Sequence, residues 1–333
     1  MIGVMAVPYV ALGDSYAAGV GGGAEVDACW RAVDGYPVLV ARALGVDVAY
    51  DACLGATTAD VRAGQLGHLD PQTRYVSITI GGNDIGFVPV LVTAAEPAWL
   101  SDSDAAIDRA LVILRRVLPG RLDGLYASIR KGAPNARIVA TGYPRLFNGI
   151  DCNLATFFSA HEMVRLNAAA DELASTIGAA AGRAGFDYLD VVAVFDGHAV
   201  CDPAEWLNGV NWPIQGSFHP NHDGHAAYAR LVGQRLAAAA EVASAGEPRV
   251  VRGTSSRGSA PTFSLPDLLS PRSLAGAATY GIDPDEVAAL ARSVERPTLR
   301  PSRAEPADLE VYRRLHILDA EVARRRWPDR YNA

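Results

Sequence analysis

The sequence predicts an α/β fold, a parallel sheet with helices on both faces, followed by a C-terminal extension of different composition. Two observations predict the sheet: short apolar runs that end at turn residues, and helical periodicity filling the intervals between them. A third sets the extension apart. Near Gly246 the alternation gives way to a stretch dense in Ser, Pro, Gly and Arg. Strands that alternate with helices run parallel, are buried on both faces and gather functional loops at their carboxyl ends.

The first strand is Pro8 to Gly13, an apolar run closed by glycine. Asp47 to Ala52, Tyr75 to Ile80, Ala136 to Thr141 and Phe186 to Val191 repeat that pattern, which makes five strands. Between them Pro37 to Leu44 opens with a proline suited to a first helical turn. Ile107 to Arg130 carries apolar residues at three-to-four spacing, and His161 to Ala184 is rich in alanine. A last helix is expected from about Asp223 to Ala243. Beyond it, Gly246 to Leu274 reads as a linker, and helical patterns resume at Pro284 to Val294 and Pro306 to Trp327. The second of these puts Leu309, Tyr312, Leu315, Leu318 and Val322 on one stripe. The expected division is therefore residues 1–245 as one domain and 246–333 as a linker with a helical extension.

Composition narrows the function. Of 333 residues, 50% are hydrophobic and 20% charged, which excludes global disorder and allows a core that needs no metal or disulfide to fold. The net charge of −7 gives no general attraction to nucleic acid or anionic lipid, so small or neutral partners are favoured. That charge is uneven: residues 246–333 hold 14 basic and 12 acidic side chains, leaving the first 245 residues at −9. Lys131 is the only lysine, a bias of coding more than of chemistry. No apolar run approaches the ~18 residues of a spanning helix. Only Met1 to Val7 precede the first strand, too little for a signal peptide, so one is absent or already removed. The four cysteines, Cys29, Cys53, Cys152 and Cys201, allow either buried thiols or two disulfides, with no CxxC spacing to suggest zinc.

Four segments at strand ends carry the chemistry. Leu12-Gly13-Asp14-Ser15-Tyr16 turns a strand into a loop and exposes a serine hydroxyl at the end of the sheet. It is not the GxSxG elbow, because Ala17 stands two residues after Ser15. Cys53-Leu54-Gly55-Ala56-Thr57-Thr58 offers a glycine N–H that a ligand oxygen can approach. Gly81-Gly82-Asn83-Asp84 frees the backbone and supplies a neutral side-chain amide, and neutral donors aimed at one point suit a developing oxyanion. Ser217-Phe218-His219-Pro220-Asn221-His222-Asp223-Gly224-His225 brings a histidine able to deprotonate Ser15 and then protonate a leaving alcohol. A metal site from His219, His222 and His225 is disfavoured, since His225 belongs on the following helix and no cysteine lies near. Trp206, Trp212, Phe218, Ile85 and Phe87 are candidates for an acyl pocket or for core.

In this order the four segments resemble the SGNH hydrolases, the GDSL esterases and lipases, through Gly13-Asp14-Ser15, Gly55, Gly81 to Asp84 and His219. The likeness spans about residues 8 to 240 and comes nearest to the secreted actinobacterial lipases and phospholipases. It implies a flavodoxin-like three-layer α/β/α sandwich and a serine carboxylester hydrolase working through an acyl-enzyme on Ser15. An acyltransferase using the same residues, or a carbohydrate acetylesterase, is the alternative. The implied oxyanion donors are the N–H groups of Ser15 and Gly55 and the amide of Asn83. The implied disulfides are Cys29–Cys53 and Cys152–Cys201, with export or a place in the cell envelope; a cytoplasmic location stays open. The expected partner is a small-molecule or lipid ester, with no cofactor, metal or nucleic acid. One departure matters. Many relatives carry an aspartate three residues before the histidine, and here that position is Gly216. The likeness assigns the orienting role to the Ser217 backbone carbonyl, with Asp202 and Asp223 as carboxylate alternatives. A carbonyl suffices physically, because the third member mainly fixes tautomer and orientation.

Overall fold

The computed structural model describes residues 7–237, 247–254, 261–294 and 305–331. Its centre is a parallel sheet of β1 (Tyr9–Gly13), β2 (Val48–Tyr50), β3 (Tyr75–Thr79), β4 (Arg137–Thr141), β5 (Asp187–Leu189) and β6 (Val250–Arg252). The order across the sheet is β5-β4-β3-β1-β2-β6, and every pairing is parallel. The sheet thus has six strands, not the five expected. The sixth comes from the stretch read as linker, where a three-residue strand amid Ser, Gly and Pro leaves no periodic signal. It pairs Val250 with Val48 and closes the β2 edge, which would otherwise present unpaired backbone groups.

Helices cover both faces. On one side α2 (Tyr36–Leu44) packs against α8 (His222–Leu236); on the other lie α3 (Thr58–Gly64), α6 (Leu118–Gly132) and α7 (Ala160–Arg183). The single helix expected across Ile107 to Arg130 is two, α5 (Asp104–Arg116) and α6. Pro119 in the first turn of α6 explains the break, since proline lacks an N–H and clashes with the preceding turn. The expected extent of the last helix beyond residue 237, and the residues before Val7, lie outside the described residues. The inner strands β1 to β4 are almost wholly buried, with Tyr9, Val10, Ala11, Leu12, Val76 and Ile78 at the centre of the main core, while the edge strands β5 and β6 are partly exposed.

The rest of the extension forms α9 (Pro271–Thr279), α10 (Pro284–Ser293), α11 (Pro306–Arg326) and the short α12 (Pro328–Tyr331). Tyr312, Leu315, Leu318 and Val322 of the expected stripe are buried in a second apolar cluster with Trp99 and Phe157. Trp99 follows the short helix α4 (Phe87–Ala94) in the chain. A polar rim frames the contact: the Ala98 N–H donates to Asp319 at 2.5 Å, Trp99 Nε1 to Ser273 at 3.1 Å and Trp327 Nε1 to Asp102 at 3.2 Å.

Candidate active site

Ser15 stands at the carboxyl end of central strand β1, as the first residue of the one-turn helix α1 (Ser15–Ala18). The turn that puts it there needs Gly13, whose φ is +125° and where any Cβ would collide with the Thr79 carbonyl of the neighbouring strand. Gln65 fixes the same residue from both sides, accepting from the Gly13 N–H at 2.8 Å and donating to its carbonyl at 2.9 Å. Asp14 accepts the Tyr16 N–H at 3.0 Å and also the Tyr143 hydroxyl, whose oxygen in turn accepts the Gly82 N–H at 3.2 Å. Burial pushes the Asp14 carboxyl up to about 7, against the lowering effect of those two donors.

His219 reaches the serine from the opposite end of the sequence. Its Nε2 lies 2.7 Å from Ser15 Oγ, and its Nδ1 lies 2.9 Å from the Ser217 carbonyl oxygen. With Nδ1–H donated to the carbonyl, Nε2 carries the lone pair that faces the hydroxyl. The loop bends this way because Phe218, between the two residues, holds φ at +58°, an uncommon conformation for a bulky side chain. Asn208 supports it on both strands of the turn, donating its N–H to the His219 carbonyl at 2.9 Å and accepting the Phe218 N–H at 3.0 Å. Tyr16 closes the link by donating to the Phe218 carbonyl at 3.1 Å. Burial lowers the His219 imidazole to about 4, so it is neutral at pH 7.

Three donors surround the same opening. Gly55, with φ at +80°, and Ser15 line the cleft, and among the described residues neither N–H makes a loop or cap hydrogen bond. Asn83 Nδ2 donates to the Ala56 carbonyl at 3.0 Å, which orients the amide and leaves its second hydrogen unused by that bond. Asp84 locks the two loops together, accepting the Thr58 N–H at 2.9 Å and the Thr58 hydroxyl at 2.6 Å. The Cys29–Cys53 disulfide ties the chain just before the Gly55 turn to the first loop, and Cys152–Cys201 fastens the region leading to Asn208. Both cysteine pairs implied by the resemblance are formed.

The structure therefore brings Ser15, Gly55, Asn83, Ser217 and His219 to one cleft that is open to solvent at its mouth. Phe87, Val88, Leu91 and Phe218 supply its apolar wall. Ile85 instead lines an adjoining apolar pocket shared with Phe87, Tyr16 and Tyr143. The other aromatic candidates lie elsewhere: Trp206 stacks on His198, and Trp212 is exposed. The carboxylate alternatives are not beside the imidazole, since Asp202 accepts from Asn148 and from the Ala199 N–H while Asp223 sits exposed in the first turn of α8. His225 is buried and bonded through Nε2 to the Val20 carbonyl at 3.2 Å, and among the described residues the three histidines do not converge as metal ligands. Gln65, Tyr143 and Asp84 escaped the sequence reading as supports. Only Asp84 carried a signal, its place beside Asn83 in the glycine-rich motif.

Comparison with known proteins identifies the family. The model of the GDSL-like Lipase/Acylhydrolase family matches residues 11–227. A lipase of Streptomyces rimosus is 39% identical over 231 residues, covering 67% of this chain and 84% of the relative. The crystal structure of phospholipase A1 from Streptomyces albidoflavus NA297 superposes with a TM-score of 0.64 at 38% identity, over 69% of this chain and 99% of that one. The extracellular lipase structure from S. rimosus gives 0.64 at 36% identity, over 68% and 98%. The chain belongs to the GDSL-like lipase and acylhydrolase family and is a carboxylic ester hydrolase.

Proposed function

We propose that Ser15 is the nucleophile of this ester hydrolase and His219 its general base and acid, with the Ser217 carbonyl orienting the imidazole. Ser15 Oγ attacks the ester carbonyl carbon while His219 Nε2 takes the hydroxyl proton. The carbonyl oxygen becomes an oxyanion, which the Ser15 and Gly55 N–H groups and the Asn83 amide receive. The tetrahedral intermediate collapses, His219 returns the proton to the departing alkoxide, and an ester to Ser15 remains. Water, deprotonated by the same nitrogen, then attacks the acyl carbon, and His219 gives that proton to Ser15 Oγ as the Oγ–acyl bond breaks and the carboxylic acid leaves. The observation that carries this reading is the pair of contacts at His219, 2.7 Å to Ser15 Oγ and 2.9 Å to the Ser217 carbonyl.

The fitting substrate is an aliphatic ester whose acyl group meets the apolar wall, and relatives named lipase and phospholipase A1 support that class. Residues 1–245 would hold every reacting group, with 246–333 as an addition to that unit. Two disulfides and the extracellular lipase among the relatives favour secretion, and no described helix is long and apolar enough to cross a membrane. We further propose that the protein matures in an oxidising compartment outside the cytoplasm. A panel of p-nitrophenyl esters of increasing acyl length, with phospholipid and acetylated sugar added, tests the function. Turnover of the aliphatic esters is expected, and inactivity toward all of them would overturn the assignment.

A further inference from the structure

The extension beyond the family core returns to the reaction site. After β6 pairs with β2, the Gly253 N–H donates to the Tyr50 carbonyl at 3.2 Å, and the Gly253 carbonyl accepts from Arg31 at 3.2 Å. Farther along, Pro261, Thr262 and Phe263 line the cleft that holds Ser15, Asn83 and His219. Phe263 is only 5% exposed and meets Phe218 edge-on, with ring centroids 4.9 Å apart. Phe218 immediately precedes His219 and packs in turn on Phe147 and Phe158. The chain then enters α9, whose Arg272 donates to the Leu100 carbonyl at 3.1 Å, while Arg326 of α11 donates to the Ser101 carbonyl at 3.0 Å. These contacts grip the segment just after α4, the helix that carries Phe87, Val88 and Leu91 into the cleft. Residues 261–263 are thus held between an anchor at the sheet edge and one behind the opposite wall.

We propose that Phe263, supported by Pro261 and Thr262, is a specificity-determining residue that ends the acyl pocket and selects short acyl groups. The physical reason is exclusion. An acyl chain gains from burial against Phe87, Leu91 and Phe218 only until it meets the Phe263 ring, and further methylenes must turn out into water. The inference rests on Ser15 as the nucleophile, but it concerns chain length and not bond cleavage.

The test compares full-length wild type, Phe263→Ala and Phe263→Trp on p-nitrophenyl butyrate and decanoate. Its readout is the decanoate-to-butyrate ratio of kcat/KM. That ratio cancels the fraction of enzyme that is folded, so a destabilised variant remains informative. Phe263→Ala is expected to raise the ratio about 10-fold, close to the worth of burying two further methylenes, and Phe263→Trp to lower it. A purely structural role would shift both substrates together. The proposal is overturned if the alanine variant stays within about twofold of wild type, or if both variants move the ratio in the same direction. Failure of the underlying reading looks different, because a Ser15→Ala enzyme would then still hydrolyse butyrate.

Discussion

Replacing Asn83 by alanine separates the cost to the fold from the cost to the reaction. Among the described residues the amide makes one hydrogen bond, Nδ2 to the Ala56 carbonyl at 3.0 Å. Losing a part-buried hydrogen bond of that kind costs about 1 kcal/mol, which lowers Tm by about 2–4 °C in a domain of this size. The reaction loses one of three oxyanion donors, and a single such donor is worth roughly 10²–10³-fold in kcat, about 2.7–4 kcal/mol. A ground-state ester carbonyl carries little charge, so KM should change far less than kcat. Steady-state kinetics with p-nitrophenyl butyrate and a thermal melt on the same preparation supply both numbers. A variant that melts nearly like wild type but has lost two or more orders of magnitude in kcat fits the account. An unchanged kcat with a raised KM would refute the oxyanion role.

Three further outcomes follow from the geometry. Since burial holds His219 near 4 and Nδ1 faces a backbone carbonyl, kcat/KM should stay level from pH 8 down to about 5 and fall as protonation silences the base; an acid limb at or above pH 6.5 would contradict a neutral, carbonyl-held imidazole. Asp14 is raised to about 7 from 3.8, so its contribution to stability is present below 3.8 and lost as pH rises through 7, a change of about 4 kcal/mol at most. The melting temperature of Asp14→Asn relative to wild type should therefore climb between pH 4 and 8, and a pH-independent difference would remove the buried charge from the account. A chain ending near Ala245 should fold and hydrolyse p-nitrophenyl acetate, with a lowered Tm because Trp99, Phe157 and the β2 edge lose their cover. A truncated enzyme that is folded yet inactive toward acetate would mean that the extension takes part in the reaction itself.

The elements that were legible in the sequence are those whose signal is local. Five apolar runs marked five strands, and the glycines at 13, 55 and 81 marked the turns at three of their ends, because only glycine tolerates those backbone angles without strain. The supports were not legible, because each joins residues far apart in the chain. Gln65 pins Gly13 across 52 positions and Tyr143 reaches Asp14 across 129, and no spacing rule announces such partners. Strand β6 stayed hidden for a different reason: its stability comes from the edge it covers and not from its own three residues. Phe263 shows both limits, an isolated aromatic in a Ser- and Pro-rich stretch whose place depends on tertiary contacts with Phe218.

Covalent trapping decides whether Ser15 forms the acyl-enzyme. Treating the full-length protein with an alkyl fluorophosphonate should add one adduct per chain, and peptide mapping should find it on Ser15, 2.7 Å from the nitrogen that activates it. The same treatment of Ser15→Ala should leave the mass unchanged, and that variant should not hydrolyse p-nitrophenyl butyrate. An adduct mapped to another residue, or ester hydrolysis by pure Ser15→Ala enzyme, would contradict the account.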